Sequence, residues 1–307
     1  MKRLTLLVLV IITTITITTI YSCKNSKTSA DKVLKFNLEK GKGYDFEILW
    51  DTDQQMMGQD NKINITAGYS LEVIDDKDNI KTLTAVYKSF KMYMNIMGME
   101  INVDTDKPFG PISEADIKAN PLGMMDRVFA GIKEKEFTMK VDAEGKVLEV
   151  SGFEKIINGM IDSIGAGEDI KMQMRASLQD QFNEQAIKDQ FAQVFTIFPN
   201  KEIKVGDSWE KTLQMGGRMP AKYITKYTVK EIEGDHVSLS AQTNIGSDNS
   251  ESNSYQMEIK GTQNGSLLVD SKTGLVINAE FDQDIETKTQ GMEIKIIGKG
   301  RIKGKVR

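Results

Sequence analysis

The chain has 307 residues with a single cysteine and a single histidine, and its 40 basic and 44 acidic side chains give a formal net charge of −4. One cysteine excludes an internal disulfide, so stability must come from apolar burial, which this length can supply in one large or two small domains. Lysines are scattered among aspartates and glutamates along nearly every segment, which speaks against the one-sided basic face of a nucleic-acid binder.

Met1, Lys2 and Arg3 precede an apolar, threonine-bearing run from Leu4 to Ile20, which leads into Cys23. That order reads as a secretory signal, and the run sits at the lower edge of what spans a bilayer. "IYSC" resembles the bacterial lipobox, with Tyr21 bulkier than the small residue usual there. The resemblance implies a lipoprotein signal over residues 1–22, a lipidated Cys23 that holds the protein on a membrane, and a polar tether over residues 23–32. Lys24 in place of an inner-membrane aspartate, with no acidic cluster after Cys23, points to the outer membrane and a periplasmic face. The alternative is an ordinary signal or anchor with an incidental thiol.

Residues 33–152 form a first β region. Ile63, Ile65, Ala67, Tyr69, Leu71 and Val73 alternate with polar residues, the pattern of a half-buried antiparallel strand, and "DDKDN" (residues 75–79) makes a turn. Val86, Phe90, Met92, Met94 and Ile96 share one face of the next strand. A tight turn at Met97-Gly98 then places Ile96 opposite Met99 and Met94 opposite Ile101. Residues 136–153 are a further hairpin, turning at "DAEG".

Residues 153–198 form a helical segment. Ser151 and Glu154 match a capping box, and Phe153, Ile156, Ile157, Met160, Ile161 and Ile164 repeat at helical spacing until "GAG". Ile170, Met174, Leu178 and Phe182 carry one stripe onward. Ile187, Phe191, Val194 and Phe195 carry another of different phase, so a break is expected near Asn183. Residues 199–307 form a second β region, interrupted by the polar loop "GSDNSESNS" (residues 246–254). Residues 33–307 are thus expected to be one domain or two closely packed β halves. Two short echoes, "GMEI" and a valine-aspartate turn, recur in both halves in different order, compatible with duplication or with convergent hairpin chemistry.

"FPNKEIKVGDSW" (residues 198–209) and "DSKTGLV" (residues 270–276) resemble a family of uncharacterised bacterial envelope lipoproteins. That resemblance implies location and shape, and no activity. More distantly, the element order resembles lipoprotein carriers of the LolA and LolB type, an unclosed barrel whose helices cap an apolar cavity. The expected fold is therefore mainly β (α+β), with long antiparallel strands in a curved sheet or unclosed barrel and a central helical segment capping one face.

Catalytic constellations are absent from the pattern. His236 lies in "EGDHVS", a turn between strands, with no nucleophile context. Asp75, Asp76 and Asp78 lack calcium-loop spacing, and the glycines read as hairpin and helix-end residues. No cofactor is indicated, and the protein is expected to be non-enzymatic. Methionine is unusual, with Met92, Met94, Met97 and Met99 close together among 17 in the chain. Thioethers suit Cu(I), but their neighbours here are apolar, so a flexible greasy wall is the reading preferred over a metal site. Phe90, Met92, Met94, Ile96, Met99 and Ile101 on the sheet, with Phe153, Ile157, Met160 and Ile164 on the helix, are the candidate lining for a lipid or other apolar ligand. The same residues could fill a dry core. The rival reading is an interaction module that binds another envelope protein through a sheet edge or through the Gln-rich helix "QDQFNEQAIKDQFAQ".

Overall fold

The computed structural model describes residues 32–96, 98–108, 125–165, 167–181, 183–216, 220–247, 257–289 and 292–307. The signal region, Cys23 and nearly all of the tether lie outside them, as do Met97, Phe182, Gly291 and most of the 246–254 loop. In chain order the strands before the helical segment are β1 (Lys32–Leu34), β2 (Gly43–Met56), β3 (Gln59–Lys77), β4 (Ile80–Ile96), β5 (Met99–Asp104), β6 (Glu136–Asp142) and β7 (Val147–Ser151), with helix α1 (Met125–Ala130) between β5 and β6. Helices α2 (Glu154–Ser163), α3 (Glu168–Gln181) and α4 (Glu184–Phe195) follow. The chain then runs through β8 (Lys201–Ile203), β9 (Ser208–Met215), β10 (Ala221–Glu233), β11 (His236–Ser247), β12 (Met257–Asp270), β13 (Val276–Thr289) and β14 (Met292–Val306).

Twelve of these strands make one antiparallel sheet in the order β7-β6-β4-β3-β2-β14-β13-β12-β11-β10-β9, with β5 also on β4, while β1 and β8 pair separately. The mainly β fold read from the alternation is what the chain adopts, and the two β regions meet where β14 pairs with β2. The sheet is not closed into a barrel: β7 and β9 are its ends.

Local chemistry explains the turns. Asp78 and Asn79 both have positive φ, at 54° and 62°, the conformation of a two-residue hairpin that asparagine and aspartate tolerate. The strands therefore extend through Asp75–Lys77, and the turn is tighter than the five-residue "DDKDN" reading. The β4–β5 hairpin has the expected register, with Ile96 opposite Met99 and Met94 opposite Ile101. One expectation for β4 is corrected. Tyr69 pairs with Tyr87 and Gly68 with Ser89, so Lys88 is an extra residue that switches the parity of the strand. Val86 consequently lies on the face opposite Phe90, and Tyr87 takes its place.

Helix α2 forms where its spacing predicts, but without the capping box, and no side chain caps its start. Ser151 stays in β7 opposite Thr138, and Gly152, at φ 78°, makes the corner instead. The expected break falls between α3 and α4, where the Asn183 side chain accepts a 3.0 Å hydrogen bond from the Ala186 N–H.

The main core lies on one face of the sheet, here the inner face. Strand residues such as Leu71, Leu83, Met139, Val229, Leu239 and Val269 meet Ile156, Met160, Ile161, Ile187, Phe191 and Phe195 from the helices. Helix α4 packs against both β7 and β9, the two ends of the open sheet. It ties them by polar contacts as well: Glu184 accepts from the Val150 N–H of β7 at 3.2 Å, and Asp189 accepts from the Gly216 N–H, just past β9, at 2.7 Å. Gln185 donates to the other Asp189 oxygen at 2.6 Å, so this buried carboxylate is hydrogen-bonded through both oxygens.

Candidate functional site

Antiparallel register aligns the inward side chains into rows across the strands. One row runs Trp209, Tyr227, Ala241, Gly265, Phe281, Gly300, Trp50 and Ile65, an apolar band from β9 to β3. The next row runs Lys211, Thr225, Thr243, Gln263, Gln283, Gly298 and Thr52. Beyond it Leu213, Tyr223, Ile245, Gly261, Ile285 and Ile296 are apolar again, and four of them, Tyr223, Ile245, Ile285 and Ile296, form a second, smaller cluster with Ala221 and Ile259 or pack beside it. A polar belt thus crosses an otherwise greasy wall.

Between this wall and the helices is an open-mouthed cavity of about 560 Å³. The sheet contributes all three rows, while Phe129 of α1, Ile132, Phe153, Ile156 of α2, and Gln190, Gln193 and Val194 of α4 close it opposite. Glycines make the space. A side-chain carbon at Gly300 would run into the Trp50 ring, one at Gly265 into the Phe281 ring, and one at Gly298 would come within 2.7 Å of Gln283 Nε2. The earlier assignment of glycines to hairpins and helix ends is corrected for these strand glycines, whose spacing of two and four in "IIGKGRIKG" and "KGTQNG" puts them on the inner face.

Among the expected lining residues, Phe90 and Phe153 lie on the cavity wall. Phe90 stacks on Phe129 with ring centroids 4.4 Å apart. Met92, Ile157, Met160 and Ile164 are buried in packed core and are not part of that wall, and Met94 and Ile101 are half-buried partners on the β4–β5 hairpin outside it. Met99, 54% exposed, points to solvent, and the side chain of Ile96 lies outside the described atoms. Met92, Met94 and Met99 therefore do not converge on the cavity, because their burial falls along the hairpin from Met92 through Met94 to Met99. The residues that do form the wall were hidden for another reason. Ile48, Trp50, Thr225, Thr243, Gln263 and Gln283 become neighbours only through register between strands distant in sequence.

The polar side chains of the wall are neutral except for Lys211 and Arg301. Thr225 and Thr243 share a hydroxyl hydrogen bond of 2.9 Å. Burial pushes the Tyr87 phenol up to about 12, while its hydrogen bond with Gln190 acts in the opposite direction. Burial raises Tyr227 and Tyr223 too. Nothing here resembles a nucleophile with its base, and among the described residues no three His, Cys, Asp or Glu side chains gather as a metal site. No helix of the described residues is long and apolar enough to cross a membrane. The arrangement is suited to enclosing an apolar body.

Comparison with known proteins agrees on architecture and is silent on activity. Residues 78–276, more than half of the chain, match the model of a family described as of unknown function (DUF6263). No curated protein matches significantly. Among solved structures, the one named "Lipid-protein interactions in lipovitellin" is similar over 88% of this chain with a TM-score of 0.50 at 10% identity. This chain spans 26% of the length of that one. The β domain of the Bordetella autotransporter BrkA aligns over 85% of this chain and 98% of its own with a TM-score of 0.24 at 7% identity. The translocator domain of the Neisseria meningitidis autotransporter NalP aligns over 86% of this chain and 88% of its own with a TM-score of 0.22 at 5% identity. The lipovitellin likeness shows a shared fold, and the two autotransporter alignments are too weak to carry any conclusion.

Proposed function

The chain belongs to the DUF6263 family, whose description assigns no activity, and we propose that it is a non-enzymatic lipid-binding protein that holds an apolar or amphiphilic ligand between its open sheet and the helices. The observation that carries this reading is the cavity of about 560 Å³, walled by the inner face of the sheet and by α1, α2 and α4. That volume lies within the roughly 300–1,000 Å³ of pockets that take one small ligand. A dry core would not leave such room, because interiors pack as densely as organic crystals. The fold likeness to lipovitellin adds support, since that structure is named for its lipid–protein interactions. The "IYSC" segment supports an anchor through Cys23 and a place on the periplasmic side of the outer membrane, held firmly only if more than one acyl chain is attached.

Native mass spectrometry of the full chain, gently extracted from the envelope, tests both parts. The expected spectrum shows a covalent diacyl or triacyl mass on a chain beginning at Cys23, lost with Cys23→Ser, and a separate non-covalent lipid mass. Replacing Ala67, a small wall residue, by Trp should remove the second mass and leave the first. A folded wild-type chain that stays bare when offered envelope lipids refutes the cavity reading, and an unmodified Cys23 refutes the anchor.

A further inference from the structure

We propose that the ligand is a single-chain amphiphile with an anionic head, and that Lys211 on β9 is the residue that pairs with that head. The proposal rests on the lipid-binding reading and specifies its chemistry. Two cations, Lys211 and Arg301, contribute to the cavity wall, and no aspartate or glutamate does, although acidic residues outnumber basic ones in the chain. Strand alternation separates the two cations. Arg301 is exposed with Lys299 and Lys303 on the outer face of β14, whereas Lys211 is half-buried between Trp209 and Leu213 on the inner face of β9.

Lys211 has no carboxylate within ion-pair distance among the described residues. Lys211 is half-buried on the wall of a largely apolar cavity, where a cation gains from a counter-charge, and an incoming anion supplies one. The rest of the belt fits the same guest. Lys211 stands opposite Thr225, whose hydroxyl is bonded to that of Thr243, and the amide side chains of Gln263 and Gln283 continue the row. Lysine supplies donors only, and hydroxyls and primary amides each have donors to offer, so the belt can surround the oxygens of one carboxylate or phosphate monoester. The apolar rows on either side, with Trp50, Phe281, Tyr227 and Ile285, would take the alkyl chain. The cavity volume suits one such chain and its head, within the range for a single small ligand.

The test compares palmitate, hexadecyl phosphate and 1-hexadecanol on the delipidated full chain, by the change in tryptophan fluorescence on titration, Trp50 lying on the wall. Wild type should bind both anions at least 10-fold more tightly than the alcohol. Lys211→Met should lose that preference while holding the alcohol within twofold, and Lys211→Arg should keep it, which separates loss of charge from loss of fold. A preference for one anion over the other distinguishes a fatty acid from a phosphate-headed lipid. If wild type binds all three equally and Lys211→Met changes nothing, the assignment of Lys211 is overturned while the cavity reading stands. If the folded wild type binds none of the three, the cavity reading fails and this proposal with it.

Discussion

Trp50 and Gly300 face each other across the β2–β14 pair, and the indole ring lies over the space that a side chain at position 300 would need. Gly300→Val should therefore cost about 1–3 kcal/mol, the usual range for overfilling a packed site, measured by urea denaturation, with Trp fluorescence reporting the displaced ring. The glycine was visible in the sequence, but its purpose was not, since only strand pairing reveals which aromatic sits over it. Tyr87 gives a second residue-level expectation. Its phenol is held neutral up to about 12 in the folded chain, against roughly 10 when unfolded. Between those values the unfolded chain releases a proton that the folded chain keeps. The contribution is therefore complete below about pH 10 and is lost as pH rises toward 12. Tyr87→Phe should flatten the alkaline decline of stability in part only, because Tyr69 and Tyr227 are raised by burial as well.

At the scale of elements, two devices hold the open sheet in shape. The first is the extra residue Lys88, whose side chain is exposed and pairs with Glu134 at 2.8 Å. Lys88→Ala should be nearly neutral, since exposed ion pairs contribute about 0–1 kcal/mol. Deleting Lys88 should be severe, because it would turn either Leu83, Ala85 and Tyr87 or Phe90 and Met92 out of the core. Comparing soluble yield and far-ultraviolet circular dichroism of the two variants checks this. The second device is α4, which spans β7 and β9 through Glu184 and Asp189. Asp189→Ala leaves the Gly216 N–H and the Gln185 amide short of a partner, and should cost about 1–3 kcal/mol. Hydrogen exchange should show the loosening first at the β9 end. Hairpin register and helix phase could be read from the sequence because both depend on residues close along the chain. The bulge at Lys88 and the bridging position of α4 could not, as each is decided by what packs across a distance. The same applies to the glutamines of the Gln-rich segment, of which Gln190 and Gln193 face the cavity.

For the whole molecule, the seam between β2 and β14 joins the two β regions, and charge helps to set its register. The outward residues Lys295, Lys299, Arg301, Lys303 and Lys305 of β14 run between acidic neighbours. Glu280, Asp282 and Glu286 on β13 oppose Arg301, Lys299 and Lys295, while Asp51, Glu47 and Asp45 on β2 oppose Lys299, Lys303 and Lys305. Cross-strand pairs of opposite charge favour the observed alignment over registers that would oppose like charges. The scattered charges, which composition identifies only as solvated surface, are thus ordered strand by strand. Behind the seam, one core cluster draws buried residues from both β regions and from the helices between them. Neither half can bury its inner face without the other. The full chain should therefore unfold in a single calorimetric transition whose van't Hoff and calorimetric enthalpies agree. Bound amphiphile should raise the midpoint of that transition in proportion to the logarithm of its free concentration, because a ligand held only by the folded state stabilises it by mass action. Two resolved transitions would mean that the seam is weaker than this packing implies, and a ligand that shifted only one of them would locate the cavity within that half.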